Sequence, residues 1–153
     1  MSSGSGAREL VPHSIVDNGL RWHLRAYDRK SKSFRDFVLT RITKVTILAQ
    51  TPSPEEDKLE DHQWMRMVPL QIVPHPNNVK HPTAIKLDFG MEKGVLEVNV
   101  RAAMAGYLLR RWNVDCSESA SLSGPEYQLY LQNIQTLYGA ENLAIAPGYR
   151  ELK

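Results

Sequence analysis

Gly19-Leu-Arg-Trp-His-Leu-Arg-Ala-Tyr27, followed shortly by Arg35-Asp-Phe-Val-Leu-Thr-Arg-Ile42, is the stretch whose periodicity decides the fold. With a period of two, Leu20, Trp22, Leu24 and Ala26 fall on one face of a strand, and Arg21, His23, Arg25 and Tyr27 fall on the other. The first face reads as a core surface. The second sets two guanidiniums, an imidazole and a phenol in a row, an arrangement that is costly unless something anionic sits on it.

Working outward, Val11 to Val16 reads as a preceding strand, joined to Leu20–Tyr27 by the left-handed turn chemistry of Asp17-Asn18-Gly19. Asp28 to Ser33 is polar and turn-like, Phe34 to Ile42 reads as a third strand and Lys44 to Ala49 as a fourth. Four strands with short connections predict a small antiparallel barrel of the SH3 or Sm type over residues 8–50, because closure removes exposed edges; an open meander is the alternative. Residues 51–62 hold two prolines and a run of acids and read as a linker.

The second unit, 63–153, reads as a compact α+β domain. Val68, Leu70 and Ile72 alternate on a strand that Pro74-His75-Pro76 ends. A helix is expected from near His81 to Gly90, a strand over Val95–Val100, a helix over Ala102–Trp112 and a short strand at Asn113–Cys116. After a loop, Tyr127, Leu131, Ile134 and Tyr138 recur at helical spacing behind Pro125 and predict a last helix.

Bulk properties bound the class. The 153-residue chain, 42% hydrophobic, can hold one ordinary domain or two small ones. No apolar run approaches the ~18 residues of a membrane span, so no membrane partner is expected. The opening MSSGSG lacks the apolar centre of a signal peptide, and residues 1–7 read as a disordered expression-tag remnant. A single cysteine, Cys116, excludes an internal disulfide and fits the reducing cytoplasm. The net charge of +2 is uneven: +5 from Arg8 to Gln50, −4 from Thr51 to His62, and +1 beyond.

The basic face offers chemistry. Arg35 and Arg41 share a side of the third strand with Phe37 and would adjoin Arg21, His23 and Arg25, and His13 could point the same way. Guanidiniums fork onto phosphate oxygens, and Tyr27 or Phe37 could stack a base, which describes a site for a nucleotide or single strand. The bland alternative is that Arg35 and Arg41 pair with Asp28 and Asp36 as surface ion pairs worth under about 1 kcal/mol each. His75 and His81, six apart with Pro76 between them, give no zinc spacing. No phosphate loop, nucleophile elbow or paired-carboxylate motif appears, so neither enzyme activity nor a cofactor is expected, and Asp88-Phe-Gly90 reads as a helix end. Arg101, just after a strand, could join an anion site or open a helix.

Trp22-His23-Leu24, with Pro12-His13, Asn18-Gly19 and Arg35-x-Phe37-x-Leu39-x-Arg41-Ile42 around it, resembles the WYL domain, His23 standing where that family has tyrosine. The second unit resembles its C-terminal extension, WCX, through Pro74-His75-Pro76, Ala84-Ile-x-x-Asp88-x-Gly-Met91, Val100-Arg101-Ala-Ala103, Tyr107-Leu-Leu-Arg-x-Trp112 and Ala146-Pro-Gly-Tyr149. The likeness is closest to phage-defence repressors of the BrxR/CapW-like group. It implies a homodimeric bacterial transcription regulator built as winged helix, WYL barrel and WCX domain, whose barrel senses single-stranded nucleic acid or a nucleotide and alters operator binding. The sensing residues it implies are His13, Arg21, His23, Arg25, Arg35, Phe37 and Arg41, with Arg101 from the second unit; Tyr27 enters as a stacking candidate. His23 would add charge below pH about 6.5 and strengthen ligand binding in acid. No winged helix precedes Arg8, so the chain reads as a fragment that reaches operator DNA only through that missing element. Rival readings are a constitutive Sm-like nucleic-acid binder and an assembly domain whose basic face meets the acidic run Glu55 to Asp61.

Overall fold

A computed structural model describes residues 6–151. Residues 1–5 of the expected tag remnant therefore lie outside the described residues. The chain divides into two compact units, Met1–Asp61 and His62–Lys153, and has the α+β character expected of it.

In the first unit β1 (Leu10–Asp17), β2 (Trp22–Asp28) and β3 (Ser33–Val38) form an antiparallel sheet in the order β1-β2-β3. The β1–β2 turn is tied by side chains: Asp17 Oδ1 accepts from the Gly19 amide at 2.9 Å, and Asn18 Oδ1 accepts from the Leu20 and Arg21 amides at 2.9 and 3.0 Å. Gly19, at φ 87°, supplies the left-handed step.

The expected barrel does not close among the described residues. β3 stops at Val38 in a 3-10 turn, Leu39–Arg41, which takes the chain out of the ladder, and Lys44–Ala49 forms no strand. Val45 and Ile47, in that expected strand, are 76% and 93% exposed. The expected linker also differs. Residues 54–61 form two 3-10 turns, Pro54–Glu56 and Lys58–Glu60, with Glu56 and Asp61 buried. Glu56 Oε1 accepts from the Ser53 amide and hydroxyl at 3.0 and 2.7 Å, and Asp57 Oδ1 from the Leu59 amide at 2.8 Å. A run of acids folds here because cations of the same unit meet it.

Register decides which side chains share a side of the sheet. His23 lies opposite Val38, Arg25 opposite Asp36 and Tyr27 opposite Phe34, while Ala26 lies opposite Arg35 and Leu24 opposite Phe37. On β1 the ladder passes from Pro12↔Ala26 to Ser14↔Arg25, leaving His13 as the extra residue of a bulge. The expected division into a core side and a solvent-facing basic side does not hold, although Ala26 of the expected core face is buried. His23 and Arg25 are 1% exposed, whereas Leu20 and Trp22 of the expected core face are 58% and 55% exposed.

The second unit contains α1 (His62–Met65), β4 (Met67–Pro74), α2 (Pro82–Asp88), β5 (Leu96–Arg101), α3 (Ala102–Arg111), β6 (Val114–Asp115) and β7 (Leu129–Leu131). Its sheet runs β5-β4-β7-β6, antiparallel except for the β6–β7 pair. Val68, Leu70 and Ile72 of β4 pack with Ala102, Ala105 and Leu109 of α3 and with Leu129 and Leu131 of β7 in one core. Pro82 opens α2 and Gly90, at φ 63°, follows it, as read from the sequence.

The last expected helix is absent. Leu129 and Leu131 point into the core with Tyr130 between them, a period-two pattern, and a 3-10 turn, Ile134–Leu137, follows. The helical spacing counted Tyr138, which is 83% exposed, as a core position.

Candidate anion-binding site

β2 places Arg25 and His23 on one side of the first sheet, two residues apart. The bulge turns His13 toward the same side. Three basic groups crowd a buried surface, and carboxylates meet them. Arg25 forks onto Asp61, Nε to Oδ2 and Nη2 to Oδ1, both at 2.8 Å, and Nη1 donates to Asp36 Oδ1 at 3.2 Å. His13 Nε2 lies 2.9 Å from Asp61 Oδ2, and its Nδ1 lies 2.9 Å from the Ser14 hydroxyl. His23 has Asp36 Oδ1 at 3.4 Å from Nε2 and the Asn18 amide nitrogen at 3.2 Å from Nδ1, which makes Nδ1 the acceptor and puts the neutral ring's proton on Nε2.

The electrostatics follow from burial. Desolvation pushes the His23 pKa below its ordinary value, Asp36 opposes the shift, and Arg25 adds to it. The expected gain of charge at mildly acidic pH is therefore displaced to lower pH. Beside this network Arg29 forks onto Glu56, Nε to Oε2 at 2.6 Å and Nη2 to Oε1 at 3.1 Å, and also donates to Gln50 Oε1 at 2.6 Å. Hydrogen bonds from Arg29, then from the backbone and hydroxyl of Ser53, pull the Glu56 carboxyl down to about 2.

The remaining predicted residues separate. Tyr27 is on the Arg25 side and meets Phe34 edge to face at 5.2 Å, with the His13 ring 5.8 Å from Phe34. Arg35 and Phe37 are on the opposite side, because they pair with Ala26 and Leu24, so they do not adjoin the Arg25 cluster. Arg21, in the turn before β2, and Arg41, in the 3-10 turn after β3, are exposed, and like Arg35 they make no side-chain hydrogen bond or ion pair among the described residues. The carboxylates proposed as partners of Arg35 and Arg41 are taken by other groups: Asp28 pairs with Arg8, and Asp36 pairs with Arg25 and lies 3.4 Å from the His23 ring. Arg101 belongs to the second unit, where it donates to the Trp64 carbonyl at 2.8 Å and lies 4.6 Å above the Trp64 ring.

The acidic run Glu55 to Asp61 entered the sequence reading only as the contact of the rival assembly domain, and Asp36 only as a partner of Arg35 and Arg41; the Arg25–Asp61 and Arg29–Glu56 pairs themselves were not singled out. Their signal was the charge distribution itself, a −4 stretch placed directly after a +5 stretch.

In the second unit His75 and Asp115 form a buried pair, Nε2 to Oδ2 at 2.8 Å. The Asn77 and Asn78 amides donate to His75 Nδ1 at 3.1 and 3.2 Å, so Nε2 carries the ring proton. Burial pushes Asp115 up, but hydrogen bonds from Ser117, His75 and the Leu122 amide outweigh it and leave its pKa lowered. Burial, with Asp115 nearby, pushes the Cys116 thiol up to about 12, which leaves no thiolate nucleophile at neutral pH. No group of three or more His, Cys, Asp or Glu side chains among the described residues could hold a metal ion. No described helix is long and apolar enough to cross a membrane.

Two family models match in succession along the chain. Residues 1–47 match the WYL domain, and residues 67–137 match the BrxR transcriptional regulator, C-terminal dimerization domain. The chain thus pairs a WYL domain with a BrxR-type C-terminal dimerization domain, consistent with a CapW/BrxR-like regulator. It is 40% identical over 130 residues to the DNA-binding transcriptional repressor CapW of Pseudomonas aeruginosa, covering 84% of this chain and 42% of that one. It is 34% identical over 142 residues to the repressor of the same name from Escherichia coli (strain KTE188), covering 90% and 46%. A Stenotrophomonas maltophilia repressor of that name is 34% identical over 108 residues, covering 69% and 35%. The chain thus spans less than half the length of these relatives.

Proposed function

We propose that this chain is the effector-sensing and dimerization part of a transcriptional repressor, and that the Arg25 side of the WYL sheet receives a phosphate-bearing, nucleic-acid-derived effector. The observation that carries the reading is the gathering of Arg25, His13 and His23 on one side of one sheet, in a chain that pairs a WYL domain with a dimerization domain. A guanidinium fork accepts phosphate as it accepts carboxylate, with the same two parallel hydrogen bonds. Exposed Arg21 and Arg41 supply further cations that a longer polyanion can meet. In this reading the C-terminal unit joins two copies, effector binding changes operator affinity in the complete repressor, and no catalysis takes place. Control of phage-defence genes in the cytoplasm follows from the family likeness alone.

A second reading has an observation of its own. The basic side is covered by Asp61 and Asp36, which favours a purely structural domain whose cations are spent on its own acidic segment. Fluorescence anisotropy with labelled oligothymidylate separates the two. The sensing reading expects binding that weakens as salt rises and is lost in Arg25→Ala; no binding at low salt would leave the structural reading.

A further inference from the structure

We infer that Asp61 is an internal stand-in for the ligand's oxyanion, so that a phosphate-bearing ligand seats on Arg25 and His13 only by lifting Asp61 away. This rests on the sensing reading above and names what the ligand displaces.

Asp61 makes the contacts a phosphate would make. Its two oxygens take the Nε and Nη2 hydrogens of Arg25 at 2.8 Å each, and His13 Nε2 stands 2.9 Å from one of them. The Arg25 side chain is 1% exposed and that of His13 8%, so an incoming anion finds neither while Asp61 stays in place. The other carboxylate, Asp36, cannot be the displaced group. It lies within β3, directly opposite Arg25, and its backbone is fixed by the ladder.

Asp61 lies outside the sheet. It ends a 3-10 turn through its amide bond to the Lys58 carbonyl at 3.1 Å, and residues 57–60 before it are exposed. That segment can lift without breaking a strand pair. Its upstream end is anchored separately by the Arg29–Glu56 fork, which confines the movement to residues 57–61. Asp61 is also the last residue of the first unit.

The test compares oligothymidylate binding by the whole chain and by Asp61→Asn, an isosteric change that removes the competing charge. We expect Asp61→Asn to bind about tenfold tighter, the value of one charge-assisted hydrogen bond no longer broken, and Arg25→Ala added to it to abolish the gain. Equal binding by wild type and Asp61→Asn would overturn the stand-in while leaving the sensing reading intact; absence of binding in both would overturn both. Circular dichroism establishes that the variant folds. A second measurement needs no variant: saturating oligothymidylate should speed tryptic cleavage of the wild-type chain after Lys58, and unchanged or slower cleavage would overturn the displacement.

Discussion

His23 and His75 show how one residue type serves two ends. His23 is held neutral by burial, with its pKa pushed below the ordinary 6.5. Such a group binds its proton more readily when unfolded. The stability it contributes is therefore present above 6.5 and is lost as pH falls from there toward the folded pKa. Thermal melts should show the first unit weakening as pH drops below 6.5, and His23→Gln should flatten part of that slope; an unchanged slope would assign it to another group. Glu56 acts lower on the scale. Its carboxyl sits at about 2 against an ordinary 4.5, so its clasp on Arg29 holds above 4.5 and fails as pH falls toward 2. His75 has both ring nitrogens satisfied in a closed surrounding. Replacing it by alanine removes one hydrogen bond from Asp115, which keeps those from Ser117 and Leu122, and leaves the Asn77 and Asn78 amides without their acceptor; urea unfolding should report a loss of about 2 kcal/mol.

At the scale of elements, α3 shows how close approach constrains sequence. A Cβ placed on Gly106 would lie 2.3 Å from the Asn142 carbonyl oxygen, which is backbone and cannot swing aside. Gly106→Ala should cost at least about 2 kcal/mol in urea unfolding, because the overpacked helix must shift from the 139–145 region. Leu131, fully buried on β7, should cost about 3 kcal/mol when cut to alanine. β1, β2, β4, β5, α2 and α3 were legible because each carries its own pattern: period-two alternation, a proline at a helix start, or an alanine- and leucine-rich run. β7 was not, because three residues are too few to show a period and a spurious helical spacing bridged them to Tyr138. The site was half legible. The cations could be read from β2, but their partners sit 36 residues away along the chain, as Arg25 and Asp61 do, and no local rule connects them. Side assignment failed at Arg35 and Phe37 because it depends on register, which strand periodicity leaves open.

For the whole molecule, alternating blocks of charge explain why the first unit coheres despite a small sheet. The basic strands and the acidic turns of one unit neutralise each other through Arg25–Asp61, His13–Asp61 and Arg29–Glu56. Raised salt should therefore soften the exposed Arg29–Glu9 contact first and the buried Arg25–Asp61 fork least, which hydrogen exchange of the adjoining amides can rank. The match to a dimerization domain over residues 67–137 makes a dimer the expected species in sedimentation velocity. A concentration-independent monomer would count against that role.

The doubled residue at His13 makes one edit unusually clean. Pro12 already faces Ala26 and Ser14 already faces Arg25, so excising the single codon for His13 would leave an unbroken ladder with every other side chain on its present side. The same excision at Ile15 would turn part of the strand inside out. A one-codon deletion can thus strip the imidazole from Asp61 and keep the scaffold, a sharper tool than any point replacement for asking what that ring contributes.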